Sequence, residues 1–207
     1  LVLFIGFFVG LSALEINIGP VLAIIGAAGF VIAFALQNSL SNFASGILML
    51  AYRPFDIGET VNVAGVLGKV ETMNLLNTQL RTPDNQLLVI PNNSVWDGVI
   101  TNITGITQRR VDLVFGIGYD DDIDVAQKIL EDIASEHELV LKDPEPVVKL
   151  HELGESSVNF ICRPWVKPEN YWKVHWDITR EVKRRFDANG ISIPFPQRDV
   201  HLYQQPA

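Results

Sequence analysis

The sequence predicts a membrane-anchored α+β protein. An apolar helix continues into an amphipathic one, a small antiparallel barrel or curled sheet follows, and a two-layer α/β sandwich comes last. Three observations predict it. Residues 16–52 carry no charged side chain, the longest such run in the chain. Short alternating segments punctuated by turn residues fill positions 56–104. Residues 109–203 read strand, helix, strand, strand, helix, strand, the split β-α-β order of a ferredoxin-like sandwich.

The chain opens LVLFIGFFVG, without Met or a basic region, so this stretch is not a secretory signal. Residues 1–14 rise only ~21 Å as a helix, too short to span but suited to the end of a longer helix that begins upstream. Glu15–Gly19 (EINIG) makes the reversal, and Pro20 is well placed at a helix start.

Residues 20–36 are wholly apolar and rich in Gly and Ala. They rise about 25 Å, close to the hydrocarbon thickness of a bilayer. Between 37 and 51, Gln37, Asn38, Ser39, Ser41, Asn42 and Ser45 interleave with Leu40, Phe43, Ala44, Ile47 and Leu48 at helical spacing. This half therefore reads as an amphipathic, interfacial helix. At about 100° per residue, Ala23, Ala27, Phe30 and Phe34 form one stripe, flanked by Gly26, Gly29 and Ala33. Small residues let membrane helices approach closely, which suits a ring of identical helices around an axis. Phe30 and Phe34 would then form apolar rings able to stop ions by dewetting. The wheel alone favours a plainer reading, in which both rings simply pack inside a helix bundle.

Arg53-Pro54-Phe55 ends the helix, since Pro disfavours helical geometry before it. Residues 59–63, 66–73, 75–82 and 86–91 read as strands, and 95–104 as a further strand leading out. Residues 109–119 alternate again. Asp120-Asp121-Asp122 opens a helix running to about His137, where acidic residues favour the helix dipole and one Asp can cap. Two strands, 146–153 and 157–164, follow. Asn170 caps a second helix ended by Gly190, residues 191–196 are extended, and residues 200–203 make a last short strand.

Composition bounds the function. The 207 residues carry a net charge of −8, and Glu15 is the only charge before Arg53, so residues 53–207 hold −7. That balance argues against nonspecific nucleic-acid binding, which needs clustered Lys and Arg. Cys162, the single cysteine, excludes an internal disulfide and fits a reducing compartment. Gly116-Ile117-Gly118 lacks the third glycine and lysine of a nucleotide loop and reads as a strand-end turn. The aspartates at 120–124 do not follow a calcium-loop pattern. His137, His151, His175 and His201 share no ligand spacing, and no nucleophile elbow occurs. No catalytic, metal or cofactor residue is nominated, and the chain does not read as an enzyme. Trp165, Tyr171, Trp172 and Trp176 read first as anchors of the sandwich core, with a subunit contact or ligand surface as the alternative.

Specific strings then carry a resemblance. GAAGFVIAFALQNSLSNFASGILML running into YRPFDIGE is similar to the pore helix and exit of the small-conductance mechanosensitive channel (MscS) family. So are VIPNNSV, GIGYDDDID, LGESSVNF, FDANGISIPFPQ and the closing DVHLY. The likeness spans nearly the whole chain, from about Glu15 to Tyr203. It implies a homoheptamer in the cell membrane, multi-pass, with cytoplasmic C-terminal domains, opened by tension to release ions and small solutes on hypo-osmotic shock. It also implies an order of parts: 1–19 the end of an outer helix, 20–52 the pore helix, 53–105 an Sm-like β-domain, 106–198 the ferredoxin-like domain, and 199–207 a strand of an oligomeric barrel.

By matching position, Phe30 and Phe34 fall at the two constriction rings. Gln37 and Asn38 fall at the bend, Gly46 at a second hinge position, and Leu36 and Leu40 where force reaches the pore from the outer helices. Two departures stand out. The bend carries Asn38 where the family commonly has Gly, and the constriction carries Phe rather than Leu. The implied partners are other copies of the chain, lipids and permeating solutes, with no nucleic acid. The rival readings are a membrane-tethered sensor or scaffold without a pore, and a tethered Sm-like RNA-binding protein.

Overall fold

The computed structural model describes residues 2–14 and 17–203. The chain divides into two compact units between Asn102 and Ile103.

The first unit begins with helix α1 (Val2–Ala13) and helix α2 (Gly19–Tyr52). The expected reversal lies partly outside the described residues, at Glu15 and Ile16. At its end the Gly19 N–H donates to Asn17 Oδ1 at 3.0 Å, and Pro20 occupies the first turn of α2. Five strands follow: β1 (Thr60–Val63), β2 (Val66–Met73), β3 (Asn77–Arg81), β4 (Leu87–Pro91) and β5 (Thr101–Asn102). They form one antiparallel sheet in the order β4-β3-β2-β1-β5. Consecutive strands β4 and β5 thus lie at opposite edges, as a sheet curled toward a barrel places them. Ala64 (φ 50°) and Gly65 (φ 75°) make the two-residue turn between β1 and β2, with the left-handed angles a tight hairpin needs. A register shift between Val70 and Thr72 bends β2. Alternate residues Val61, Val63, Val70 and Leu80 point into a core shared with Phe55, Ile90 and Met49 of α2.

One expectation fails here. Residues 95–104 are not one strand. Helix α3 (Asn92–Trp96) interposes, and pairing resumes only at Thr101. The cause is Asn92, whose side chain is fully buried. Its Oδ1 accepts from Thr78 Oγ1 at 2.9 Å and its Nδ2 donates to the Asn74 carbonyl at 2.9 Å. The side chain thereby turns the chain off the ladder.

The second unit contains β6 (Arg109–Arg110), β7 (Leu113–Ile117), α4 (Ile123–Glu136), β8 (Val147–Leu153), β9 (Val158–Arg163), β10 (Trp165–Val166) and α5 (Tyr171–Ala188). The antiparallel sheet β7-β9-β8 places β9 between the two strands that α4 connects, which is the split β-α-β arrangement. Asp122 caps α4: its Oδ1 accepts from the N–H groups of Asp124 (2.9 Å) and Val125 (3.1 Å). In α5, Val174, Ile178, Val182 and Phe186 recur every four residues and pack on Leu130 and Ile133 of α4 and on Phe160. Cys162 is buried among them.

Further expectations need correction. Residues 109–119 are interrupted at Val111 and Asp112 into β6 and β7, although the register against residues 158–166 runs on across the gap (Arg110 opposite Trp165, Leu113 opposite Cys162). The Val111 N–H still donates to the Pro164 carbonyl at 2.9 Å, but Pro164 has no N–H to return a ladder bond. Asn170 makes no side-chain cap; a 3-10 turn (Pro168–Asn170) leads into α5 instead. Residues 191–196 are extended but form no fourth strand. One backbone bond, from the Gly118 N–H to the Ser192 carbonyl at 3.2 Å, holds them to the end of β7. Trp172 and Trp176 are not core anchors: they stack at 5.8 Å on an exposed face of α5. Residues 200–203 pair with no strand of the same copy, and residues 204–207 lie outside the described range.

Candidate functional site

Helix α2 is the element that the charge-free run builds, and its 34 residues rise about 51 Å. It stops where the sequence places the stop. Arg53 adopts the left-handed conformation (φ 46°, ψ 58°), its N–H donates to the Met49 carbonyl at 2.9 Å, and Pro54 prevents continuation. The Arg53–Asp56 ion pair beside it is more than half exposed on both sides and adds little.

The two halves of α2 differ in what covers them. Among the described residues the apolar half has little cover within one copy. Every residue from 19 to 41 is exposed, and a Cβ added to Gly26 or Gly29 would meet nothing within 4 Å. Ala23, Ala27 and Ala33 share that exposure. An uncharged helix of this length with so much exposed apolar surface demands an apolar surrounding, either lipid or further helices. Phe30 and Phe34 come together on one face, with centroids 6.4 Å apart and planes 22° apart, and are 72% and 70% exposed. Leu36 and Leu40 are exposed as well. Gln37 and Asn38 lie inside an unbroken helical run, neither with a positive φ.

The second half is anchored. Ser45, Gly46 and Met49 form its buried face, and Met49 enters the core of the five-stranded sheet. At Gly46 the approach is close: an added Cβ would lie 2.3 Å from the Leu75 carbonyl oxygen and 2.6 Å from Asn92 Nδ2. Only the absence of a side chain permits it. The Asn93 N–H, at the start of α3, donates to Asn42 Oδ1 at 3.0 Å, and Asn42 Nδ2 donates to the Asn38 carbonyl at 2.9 Å. Farther along, Tyr52 stacks on Trp96 with centroids 6.0 Å apart. The face of α2 opposite this anchorage, with Leu40, Phe43, Ala44 and Ile47, stays exposed.

Sequence reasoning nominated Phe30, Phe34 and Gly46 but missed Asn42, Asn92 and Met49 as the anchor. The available signal was weak: two adjacent asparagines directly after a strand ending in Pro91, and an Asn on the polar face of an amphipathic helix.

Comparison with known proteins agrees with this geometry. The family model described as "Mechanosensitive ion channel, beta-domain" matches residues 38–105, and "Mechanosensitive ion channel MscS, C-terminal" matches residues 111–193. An uncharacterized MscS family protein of Synechocystis is 44% identical over 204 residues, covering 99% of this chain and 69% of its own length. The small-conductance mechanosensitive channel of Edwardsiella ictaluri is 43% identical over 178 residues, covering 86% of this chain and 62% of its own length. The crystal structure of Helicobacter pylori MscS in its closed state superposes with a TM-score of 0.89 at 34% identity, covering 98% of this chain and 81% of that one. The chain thus spans about two thirds of the length of these curated relatives, from 62% to 69%.

Proposed function

The chain belongs to the MscS family of mechanosensitive ion channels, and from that premise we propose that it forms a tension-opened pore lined by α2. The observation that carries this reading is the contrast along α2. Its uncharged apolar half has little cover within one copy, while its other half is fixed to a folded sheet. A ring of copies, seven by analogy with the family, covers the Gly26, Gly29 and Ala33 flank by mutual packing. Such a ring turns Ala23, Ala27, Phe30 and Phe34 toward the axis. The two Phe rings exclude water while the ring is narrow. Membrane tension favours the state of larger in-plane area, so the helices tilt outward, the rings part, and ions and small solutes pass.

Gln37, Asn38 and Gly46 are the positions where α2 yields, and Leu36 and Leu40 are where outer helices press. The physiological event is release of solutes on hypo-osmotic shock across the cell membrane. The chain crosses the membrane more than once, with the soluble units facing the cytoplasm.

The test is reconstitution of the full-length protein in liposomes and recording under suction. The reading expects single-channel currents that rise with tension. Intact patches that stay silent up to lysis would instead favour a tethered scaffold without a pore.

A further inference from the structure

Resting on that pore reading, we propose that the stacked pair Phe30–Phe34 is a binding site for hydrophobic organic cations of the quaternary ammonium class, which block the open pore there. The two centroids are 6.4 Å apart and the planes only 22° from parallel, so the two ring faces point in nearly the same direction. A cation about 5 Å from the midpoint, on the plane that bisects the line between the centroids, lies about 6 Å from both, within the distance over which an aromatic ring turned toward it attracts positive charge. Both rings are more than two-thirds exposed within one copy.

The surroundings select for this ligand class. No Asp, Glu, Lys or Arg lies between residues 16 and 52, so an inorganic cation finds no carboxylate there to replace its hydration shell. A tetraalkylammonium ion carries a diffuse charge, holds water weakly and exposes alkyl groups, so an uncharged aromatic and aliphatic wall suits it. Residues 53–207 carry a net charge of −7, and a field of that sign raises the local concentration of cations near the pore's soluble side. In a ring of copies the same pair recurs around the axis, so one ion meets several faces at once. Leu at these positions would keep an apolar wall but offer no quadrupole.

Block by tetrabutylammonium, applied to full-length channels in liposome patches, tests the site. It is read as a fraction of each protein's own current at a tension that opens each to the same extent. The expected result is concentration-dependent block, with the half-blocking concentration raised at least about threefold in Phe30→Leu/Phe34→Leu and lowered in Phe34→Trp. If the double variant fails to assemble, Phe34→Leu alone serves, with a smaller rise expected. Tension-activated current with no block, or equal half-blocking concentrations in wild type and the Leu variants, overturns the site while leaving the pore reading intact. No tension-activated current in the wild type overturns both.

Discussion

The backbone N–H of Asn93 donates to the Asn42 side-chain oxygen at 3.0 Å, a bond that crosses 51 positions of sequence and joins α2 to the start of α3. The other end of the Asn42 amide donates to the Asn38 carbonyl one turn earlier. One side chain therefore links the position where α2 is proposed to bend with the folded sheet below it. Asn42→Ala removes both bonds at a cost of about 1 kcal/mol, since the groups left behind are exposed or half-buried and can regain water. A restraint on the described conformation disappears with them. The tension for half-maximal current is expected to fall, with little change in the urea midpoint of the soluble units. Patch recordings with an unmoved threshold would refute the link.

Gly46→Ala is expected to destabilise the junction of α2 with the sheet by about 1–3 kcal/mol, as overpacking does. The added Cβ would lie 2.3 Å from a backbone oxygen, and backbone cannot swing aside as the tip of a flexible side chain can. Gly29→Ala is the control. Its Cβ meets nothing within one copy, so any effect there reports packing between copies. Urea unfolding of detergent-solubilised protein measures the first, and cross-linked oligomer size measures the second. Equal unfolding midpoints for wild type and Gly46→Ala would remove the close-approach argument.

Phe34→Ser is expected to lower the opening tension. The stripe places Phe34 beside Phe30, and a hydroxyl in place of a ring lets water enter the constriction earlier. A threshold that stays put or rises in patch recordings would show that Phe34 does not seal the pore.

How far the sequence exposed these parts depended on the range of the interactions. The charge-free run, the left-handed turn at Ala64-Gly65 and the Asp122 cap are written in neighbouring residues, and each appears where local chemistry puts it. The Phe30–Phe34 pair is a consequence of i, i+4 spacing on a helix. Asn92 was not legible. Its bonds to Thr78 and Asn74, fourteen and eighteen positions away, and the Asn93 N–H bond to Asn42 fix the helical turn that follows Pro91, and none of these partners is close in sequence. The Trp172–Trp176 pair misled in the opposite sense. Large aromatics near prolines suggest a core, but the α5 stripe through Val174 and Ile178 already fills that side and leaves both rings outside. The expected last strand at residues 200–203 rested on alternation over four residues, and the structure shows no strand there.

Asp121 holds the chain after α5. Its Oδ2 accepts from the Gly118 N–H (2.8 Å), the Ser192 N–H (2.9 Å) and the Ser192 hydroxyl (2.8 Å). With only one backbone bond otherwise joining residues 191–196 to β7, Asp121→Ala is expected to free this segment at a cost of about 1–3 kcal/mol. Limited proteolysis should then cut between Ser192 and Gln197 faster than in wild type. An unchanged cutting rate would mean that the Gln197 N–H bond to Ser156 Oγ and local packing suffice.

Cys162 supplies a pH test of the second core. It sits in β9 between Leu113 and Val148, fully buried, and burial pushes its thiol from 9.0 up to about 12. Below pH 9 the thiol is protonated in the folded and unfolded chains alike, so it contributes no pH dependence. Between 9 and 12 the unfolded chain releases the proton while the folded one keeps it, and stability falls as pH rises, with a slope from this group approaching about 1.4 kcal/mol per pH unit. Cys162→Ala removes the titration, so its stability should decline less steeply over that window, even though the deleted sulfur lowers stability at every pH. Because the thiolate is the reactive form, native protein at pH 8 should react with iodoacetamide only as fast as the sheet opens, and urea should release the full rate. Prompt alkylation without urea, or parallel stability curves for wild type and Cys162→Ala above pH 9, would show that the β9 core admits solvent.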